Sequence, residues 1–170
     1  CITTTTATLN GNTPLVGTGM WTVVPPSGAI VTTPSSPNSG VTNLTTVGVH
    51  EFVWTISNGT CPASRDTVKI TIDDNPTSSN AGLDQTICSS ATTLSGNTPT
   101  VGTGLWTVIT GSGIVTTPSN PSSTVTNLSI GLNQLVWTIS NGTCPSSKDT
   151  IDITVDEVPT VSSAGTDQVQ

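Results

Sequence analysis

The sequence predicts an all-β fold built as two tandem β-sandwich repeats, and three observations predict it. A ten-residue stretch, Val-Trp-Thr-Ile-Ser-Asn-Gly-Thr-Cys-Pro, occurs at Val53–Pro62 and again, unchanged, at Val136–Pro145. In its first half Trp54 and Ile56 alternate with Val53, Thr55 and Ser57, the period-two pattern of a strand with one buried face. About a third of the chain is Ser or Thr and only 8% is charged, with few Leu, Lys or Glu to make helices. Such a Thr/Val/Ile-rich composition without helical periodicity favours strands.

The elements follow in order, each in two copies. Cys1 to Leu9, matched by Cys88 to Leu94, is a Thr-rich strand ending at the turns Gly11 to Pro14 and Gly96 to Pro99. Met20-Trp-Thr-Val-Val24 and Leu105-Trp-Thr-Val-Ile109 are core strands whose inward residues include Trp21 and Trp106. Ser27-Gly28 and Ser112-Gly113 turn the chain into Ile30–Thr33 and Ile114–Thr117. Pro34–Pro37 and Pro118–Pro121 pair poorly and read as an edge or crossover loop. Val41–Leu44 and Val125–Leu128 are short strands. Gly48 and Gly131 then open the repeated hairpin, whose second arms are Asp66–Ile72 and Asp149–Val155. Asn58-Gly59 and Asn141-Gly142 supply residues that tolerate positive φ at the hairpin turn. Six or seven short strands per repeat, separated by Gly, Pro and Asn, make a β-sandwich. The expected core has two tryptophans per sandwich: Trp21 and Trp54, then Trp106 and Trp137.

The repeat fixes the expected boundaries: residues 1–75 for the first sandwich, 76–157 for the second, and 158–170 as the first strand of a following repeat or a donated strand. Gln170 aligns with Ile87, so the first repeat lacks the strand that Ala81–Ile87 gives the second. A net charge of −7 with three basic residues disfavours nucleic acid as a partner. No apolar run reaches the length of a membrane span, so no membrane insertion is expected. The absence of a signal peptide reads as a mature fragment or an internal slice. Four cysteines, Cys1, Cys61, Cys88 and Cys144, recur at matching positions without a Cys-x-x-Cys pair. An even set in a polar β-rich chain favours disulfides and an extracellular address over zinc.

Ala-Gly-Leu-Asp-Gln-Thr-Ile-Cys at 81–88, Leu-Ser-Gly-Asn-Thr-Pro at 94–99 and the repeated Val-Trp-Thr-Ile-Ser-Asn-Gly-Thr-Cys-Pro resemble PKD-like repeats. These immunoglobulin-like modules occur in giant secreted surface proteins of Bacteroidota, including gliding-motility adhesins. The resemblance implies an immunoglobulin-like sandwich, an extended array of such repeats, secretion, and a place in an adhesin shaft, stalk or filament. Neighbouring copies joined head to tail are then the expected partners, with surface glycans as a further one. In the immunoglobulin-like order, Cys88 sits at the bottom of its domain and Cys144 at the top. A strand of about six residues separates those ends by about 20 Å, whereas a disulfide needs Cα atoms within about 7 Å. A Cys1–Cys144 bond between repeats is therefore favoured, with Cys61 and Cys88 pairing to further units. Cys1–Cys61 and Cys88–Cys144 within repeats are the alternative.

No catalytic constellation is expected, and the chain reads as non-enzymatic. The lone histidine, His50, has no histidine at the equivalent position of the second repeat and reads as a surface loop residue rather than part of a triad. Gly17 and Gly19 read as a turn, since no Lys-Ser/Thr follows them as in a phosphate loop. No cofactor is expected, although calcium has weak candidate ligands at Asp73, Asp74, Asp156 and Glu157, where the repeats join. Thr67 and Thr150, each in an Asp-Thr-aliphatic triplet, are candidate O-glycosylation sites under the Bacteroidota resemblance. The competing function is a carbohydrate-binding module of a secreted glycosidase, which needs exposed aromatic residues.

Overall fold

The computed structural model describes Cys1 and residues 5–168. It is all β and divides into two compact units, Cys1–Pro76 with Asn141–Pro145, and Thr77–Ser140 with Ser146 onward. Each is an immunoglobulin-like sandwich of two sheets.

In the first unit the strands are β1 (Ala7–Thr8), β2 (Thr18–Val23), β3 (Ile30–Val31), β4 (Gly40–Thr42), β5 (Gly48–Ser57) and β6 (Ser64–Ile72). One sheet has the order β1-β4-β3 and the other β2-β5-β6, all antiparallel. The core lies between the sheets: Val41 and Leu9 come from one side, and Trp21, Phe52, Trp54 and Ile72 from the other.

The second unit contains β7 (Gln85–Ile87), β8 (Thr92–Thr93), β9 (Thr103–Thr110), β10 (Ile114–Val115), β11 (Thr124–Thr126), β12 (Gly131–Ser140) and β13 (Ser147–Val155). Its sheets are β10-β11-β8 and β7-β13-β12-β9. The added strand β7 runs parallel to β13, with Gln85 opposite Ile153 and Ile87 opposite Val155. Its core joins Leu94 and Val125 to Trp106, Leu135, Trp137, Ile139, Ile151 and Ile153.

Alternation along β12 buries Asn133, Leu135, Trp137 and Ile139, so the period-two pattern read from the sequence is the pattern that packs. The tryptophans pair across strands, Trp21 opposite Trp54 and Trp106 opposite Trp137, with ring centroids 5.0 Å apart in both units. Gly19 and Gly104 make this packing possible. A Cβ on either would run into the indole ring of Trp54 or Trp137. Gly19 thus lies inside β2, not in the turn expected for it, while Gly17 turns the chain at a φ of 91°.

The Thr-rich runs are strands only at β1 and β8 among the described residues, much shorter than Cys1–Leu9 and Cys88–Leu94. Among the described residues each has one fully buried apolar anchor, Leu9 or Leu94, and no alternation that holds a longer ladder. The Pro34–Pro37 and Pro118–Pro121 loops earn their place through carbonyls: Pro37 O accepts Trp21 Nε1–H at 3.0 Å and Pro121 O accepts Trp106 Nε1–H at 3.2 Å. Residues 158–168 form no strand and are exposed throughout.

Candidate functional site

Two features of the first unit carry the functional geometry: a tied turn and a half-covered face. The turn is Asn141–Pro145, which closes on itself through Cys144 N–H to Asn141 O at 3.0 Å, with Gly142 at a φ of 52°. It rests on the stretch after β6. Asp73 Oδ2 accepts from Thr143 N–H at 3.1 Å and from the Thr143 hydroxyl at 3.4 Å, and Asn141 Nδ2 donates to Asp74 O at 2.8 Å. Gly142 approaches the Asp73 carboxylate so closely that a Cβ there would overlap it. A disulfide joins Cys144 to Cys1, with Cα atoms 5.2 Å apart across 143 residues of sequence. Cys144 is buried, whereas Cys61 in the equivalent turn is exposed and free, as is Cys88.

The half-covered face lies along β6. A groove of about 530 Å³ is lined by Leu9, Asn12, Trp54, Asp66, Val68 and Ile70 among others. Trp54 is only 4% exposed, yet its Nε1–H has no hydrogen-bond partner among the described residues. A buried indole N–H ordinarily finds one, because leaving a buried donor unpaired costs its full desolvation.

The predicted residues fall into distinct places. All four tryptophans are buried, at 5% exposure or less, so none presents a face to a sugar. His50 is not the surface loop residue expected from the sequence. It sits on β5 facing inward, 2% exposed, in the same alternating row as Phe52 and Trp54. Its Nδ1 is 2.6 Å from the Ser27 hydroxyl and its Nε2 is 2.8 Å from Thr46 O. With Nε2–H donating to that carbonyl, Nδ1 accepts from Ser27, and the imidazole ties two loops to the strand.

The second unit solves the same problem with Asn133, fully buried, whose Oδ1 accepts from Ser112 N–H, Ser129 N–H and the Ser129 hydroxyl. Reading the histidine in register with Phe52 and Trp54 would have placed it inside. Asn133, Asn97 and Asp149 were not singled out from sequence, because Asn and Asp in this chain are mostly turn residues.

Of the calcium candidates, Asp73 is engaged by the turn and Asp74 Oδ1 accepts its neighbour's Asn75 N–H at 2.9 Å, while Asp156 and Glu157 are exposed. Among the described residues no group of three or more His, Cys, Asp or Glu side chains converges as a metal site would require. Thr67 and Thr150 are both exposed, on β6 and β13. Asp66 Oδ1 accepts Thr67 N–H at 2.9 Å, which gives the Asp-Thr pair a structural role as well. Among the described residues no helix is long and apolar enough to cross a membrane.

No protein-family model and no curated protein matches the chain. Solved structures do. The IG1+IG2 fragment of DIP-gamma is 13% identical, covers 82% of this chain and 83% of its own, and superposes with a TM-score of 0.42. The insect immune protein hemolin is 12% identical, with 83% of this chain and 40% of its own covered and a TM-score of 0.38. Human CDH23 repeats EC21-23 are 11% identical over 91% of this chain and 67% of theirs, again with a TM-score of 0.38. This chain is similar to those structures in being a series of β-sandwiches, and the likeness extends to nothing finer.

Proposed function

We propose that the chain is a non-enzymatic, extracellular structural repeat, a segment of the shaft of a surface adhesin, stalk or filament of the PKD-like kind. The observation that carries this reading is the Cys1–Cys144 disulfide, which ties the hairpin turn of the second repeated sequence to the first residue of the first. Disulfides persist in oxidising compartments, which supports an address outside the cell. The bond also sets a load path. Tension entering at Cys1 passes through the sulfurs to Cys144 and bypasses the 143-residue span between them. Thr67 and Thr150, exposed on equivalent strands, are accessible enough to serve as O-glycosylation sites of such a shaft.

Single-molecule stretching between the two ends tests the reading. Reduction should add about 500 Å of releasable length, at about 3.5 Å per residue. An oxidised chain that unravels to the same length as the reduced one means that the disulfide does not carry load, and the shaft reading loses its support.

A further inference from the structure

The outer faces of the two larger sheets carry one pattern twice. Alternation along β5 buries His50, Phe52 and Trp54 and turns Val53, Thr55 and Ser57 away from the core. Strand pairing then sets these residues in rows. Thr18 lies opposite Ser57, Met20 and Arg65 flank Thr55, and Thr22 and Thr67 flank Val53. In the second unit Thr103 lies opposite Ser140, Leu105 and Lys148 flank Thr138, and Thr107 and Thr150 flank Val136. The rows differ only by Met for Leu and Arg for Lys. The next row breaks the match: Glu51 beside Lys69 in one unit is Gln134 beside Asp152 in the other.

Charge singles out the same rows. The chain has three basic residues against ten acidic ones, and two of the three are Arg65 and Lys148, at equivalent positions. Both are exposed. The third, Lys69, is paired with Glu51, whereas Arg65 and Lys148 form no salt bridge among the described residues. In the first unit the rows floor a cavity of about 570 Å³, a volume typical of small-ligand sites. Thr18, Thr22, Thr55 and Ser57 line it with hydroxyls, Ser35 adds another from the Pro34–Pro37 loop, and Arg65 is its charged group.

This face does not owe its openness to an empty strand edge. In the second unit residues 77–87 are seated beside β13 through Ser147, Asp149 and the β7 pairing. Lys148 and Thr150 are exposed all the same.

We propose that this face of each repeat binds a glycan that carries isolated carboxylates among neutral sugars. The proposal goes beyond the shaft reading and does not rest on it. Side-chain hydroxyls both donate and accept, so a floor of them complements sugar hydroxyls, which do the same. The guanidinium or ammonium takes the carboxylate in charge-assisted bonds. Exposed Met20 or Leu105, in the same row, meets the C–H side of a sugar ring. A wholly neutral sugar would leave the cation unanswered and would want the aromatic surface that this chain buries. A dense polyanion would be repelled by a chain of net charge −7. An acidic peptide would use its backbone along a strand edge, whereas these rows lie on the middle of a sheet. Arg65 can hold a carboxylate through two parallel bonds and Lys148 only as a point charge, so the first unit should bind more tightly. One cation per repeat keeps each site weak.

Titration of the isotope-labelled full chain with a hyaluronan tetrasaccharide, whose uronates alternate with neutral sugars, tests this by nuclear magnetic resonance. At millimolar ligand the amide signals of Thr18, Thr55 and Arg65 should shift, as should those of Thr103, Thr138 and Lys148. Arg65→Gln should weaken binding at the first unit at least about tenfold and leave the second unit's shifts in place. Lys148→Gln should do the reverse. Lys69→Gln removes a cation of the same strand outside the cavity and should change neither. The replaced side chains are exposed, and unmoved indole signals of the four buried tryptophans verify the fold. The carboxyl-reduced tetrasaccharide should bind wild type at least about tenfold more weakly. A face that does not shift overturns the proposal, as does equal binding of the carboxyl-reduced sugar. So does a loss on Lys69→Gln as large as that on Arg65→Gln, or a heparin fragment or a polyglutamate peptide that binds as well as the tetrasaccharide. None of these outcomes touches the load path through Cys1–Cys144, so the shaft reading survives or fails separately.

Discussion

Strands β6 and β13 have nearly the same sequence and different surroundings. Along β13 Ile151 and Ile153 are fully buried, and β7 pairs with its outer edge at Ile153–Val155. Along β6 Val68 is 39% exposed, Ile70 is half-buried, and the edge has no neighbour among the described residues. The difference comes from what lies beside the strand and not from the strand. Ahead of β7, Ser78 and Asn80 hold the Asn97 whose carbonyl accepts Trp137 Nε1–H, whereas Trp54 Nε1–H has no partner among the described residues. An unpaired edge is a template for another chain, which is why natural sheets blunt their edges with charge, short strands or a covering segment.

The largest expected effect on that comparison comes from the tryptophans. Trp137→Ala and Trp54→Ala should each cost about 3–5 kcal/mol, as buried aromatic truncations do. Trp137 should lie at the upper end, because its Nε1–H also gives up a bond to Asn97 O. Urea unfolding of the two variants checks this, and a larger loss at Trp54 would reverse the ranking of the two cores.

A smaller effect is expected where the units differ in chemistry. His50→Leu strands the Ser27 hydroxyl and the Thr46 carbonyl and should cost about 1–3 kcal/mol. Asn133→Leu should cost more, since it removes three acceptor contacts and also the Nδ2 bonds to Ser129 O and Gly131 O. The same unfolding experiment ranks them, and equal losses would mean that the histidine has bonds equivalent to the amide's.

The smallest effect belongs to the Lys69–Glu51 pair on β6 and β5, at 2.8 Å, where β13 and β12 have Asp152 and Gln134. The hydrogen bond and charge of Glu51 hold the Lys69 ammonium above the ordinary lysine value. Its contribution is therefore present below that ordinary value and is lost as pH rises through the raised one. The lysine is solvent-exposed, so Lys69→Met should leave the unfolding midpoint nearly unchanged at moderate salt. A clear shift would show that the pair organises this strand in a way its twin does not need.

Much of this was legible in the residues. Alternation at Val53–Ser57 and Val136–Ser140 gives the central strands, and the duplicated decapeptide gives the repeat, because a period of two and an identical register are local properties. The short β1 and β8 escaped because Thr-rich runs suit strand and loop alike. His50 escaped because a polar residue inside a strand is satisfied only by partners far along the chain, here Ser27. The Asn97 network escaped for the same reason, since nothing local distinguishes a turn asparagine from one that positions a carbonyl for an indole 40 residues on.

Gly19 and Gly104, pressed against the indoles of Trp54 and Trp137, impose an order on change. Neither glycine can acquire a side chain while the ring remains, and a smaller residue in place of the ring leaves a void that only a larger one at the glycine would fill. Each pair is therefore inherited as one character. Lineages of such repeats should either keep both residues or lose both, with the aromatic the first to go.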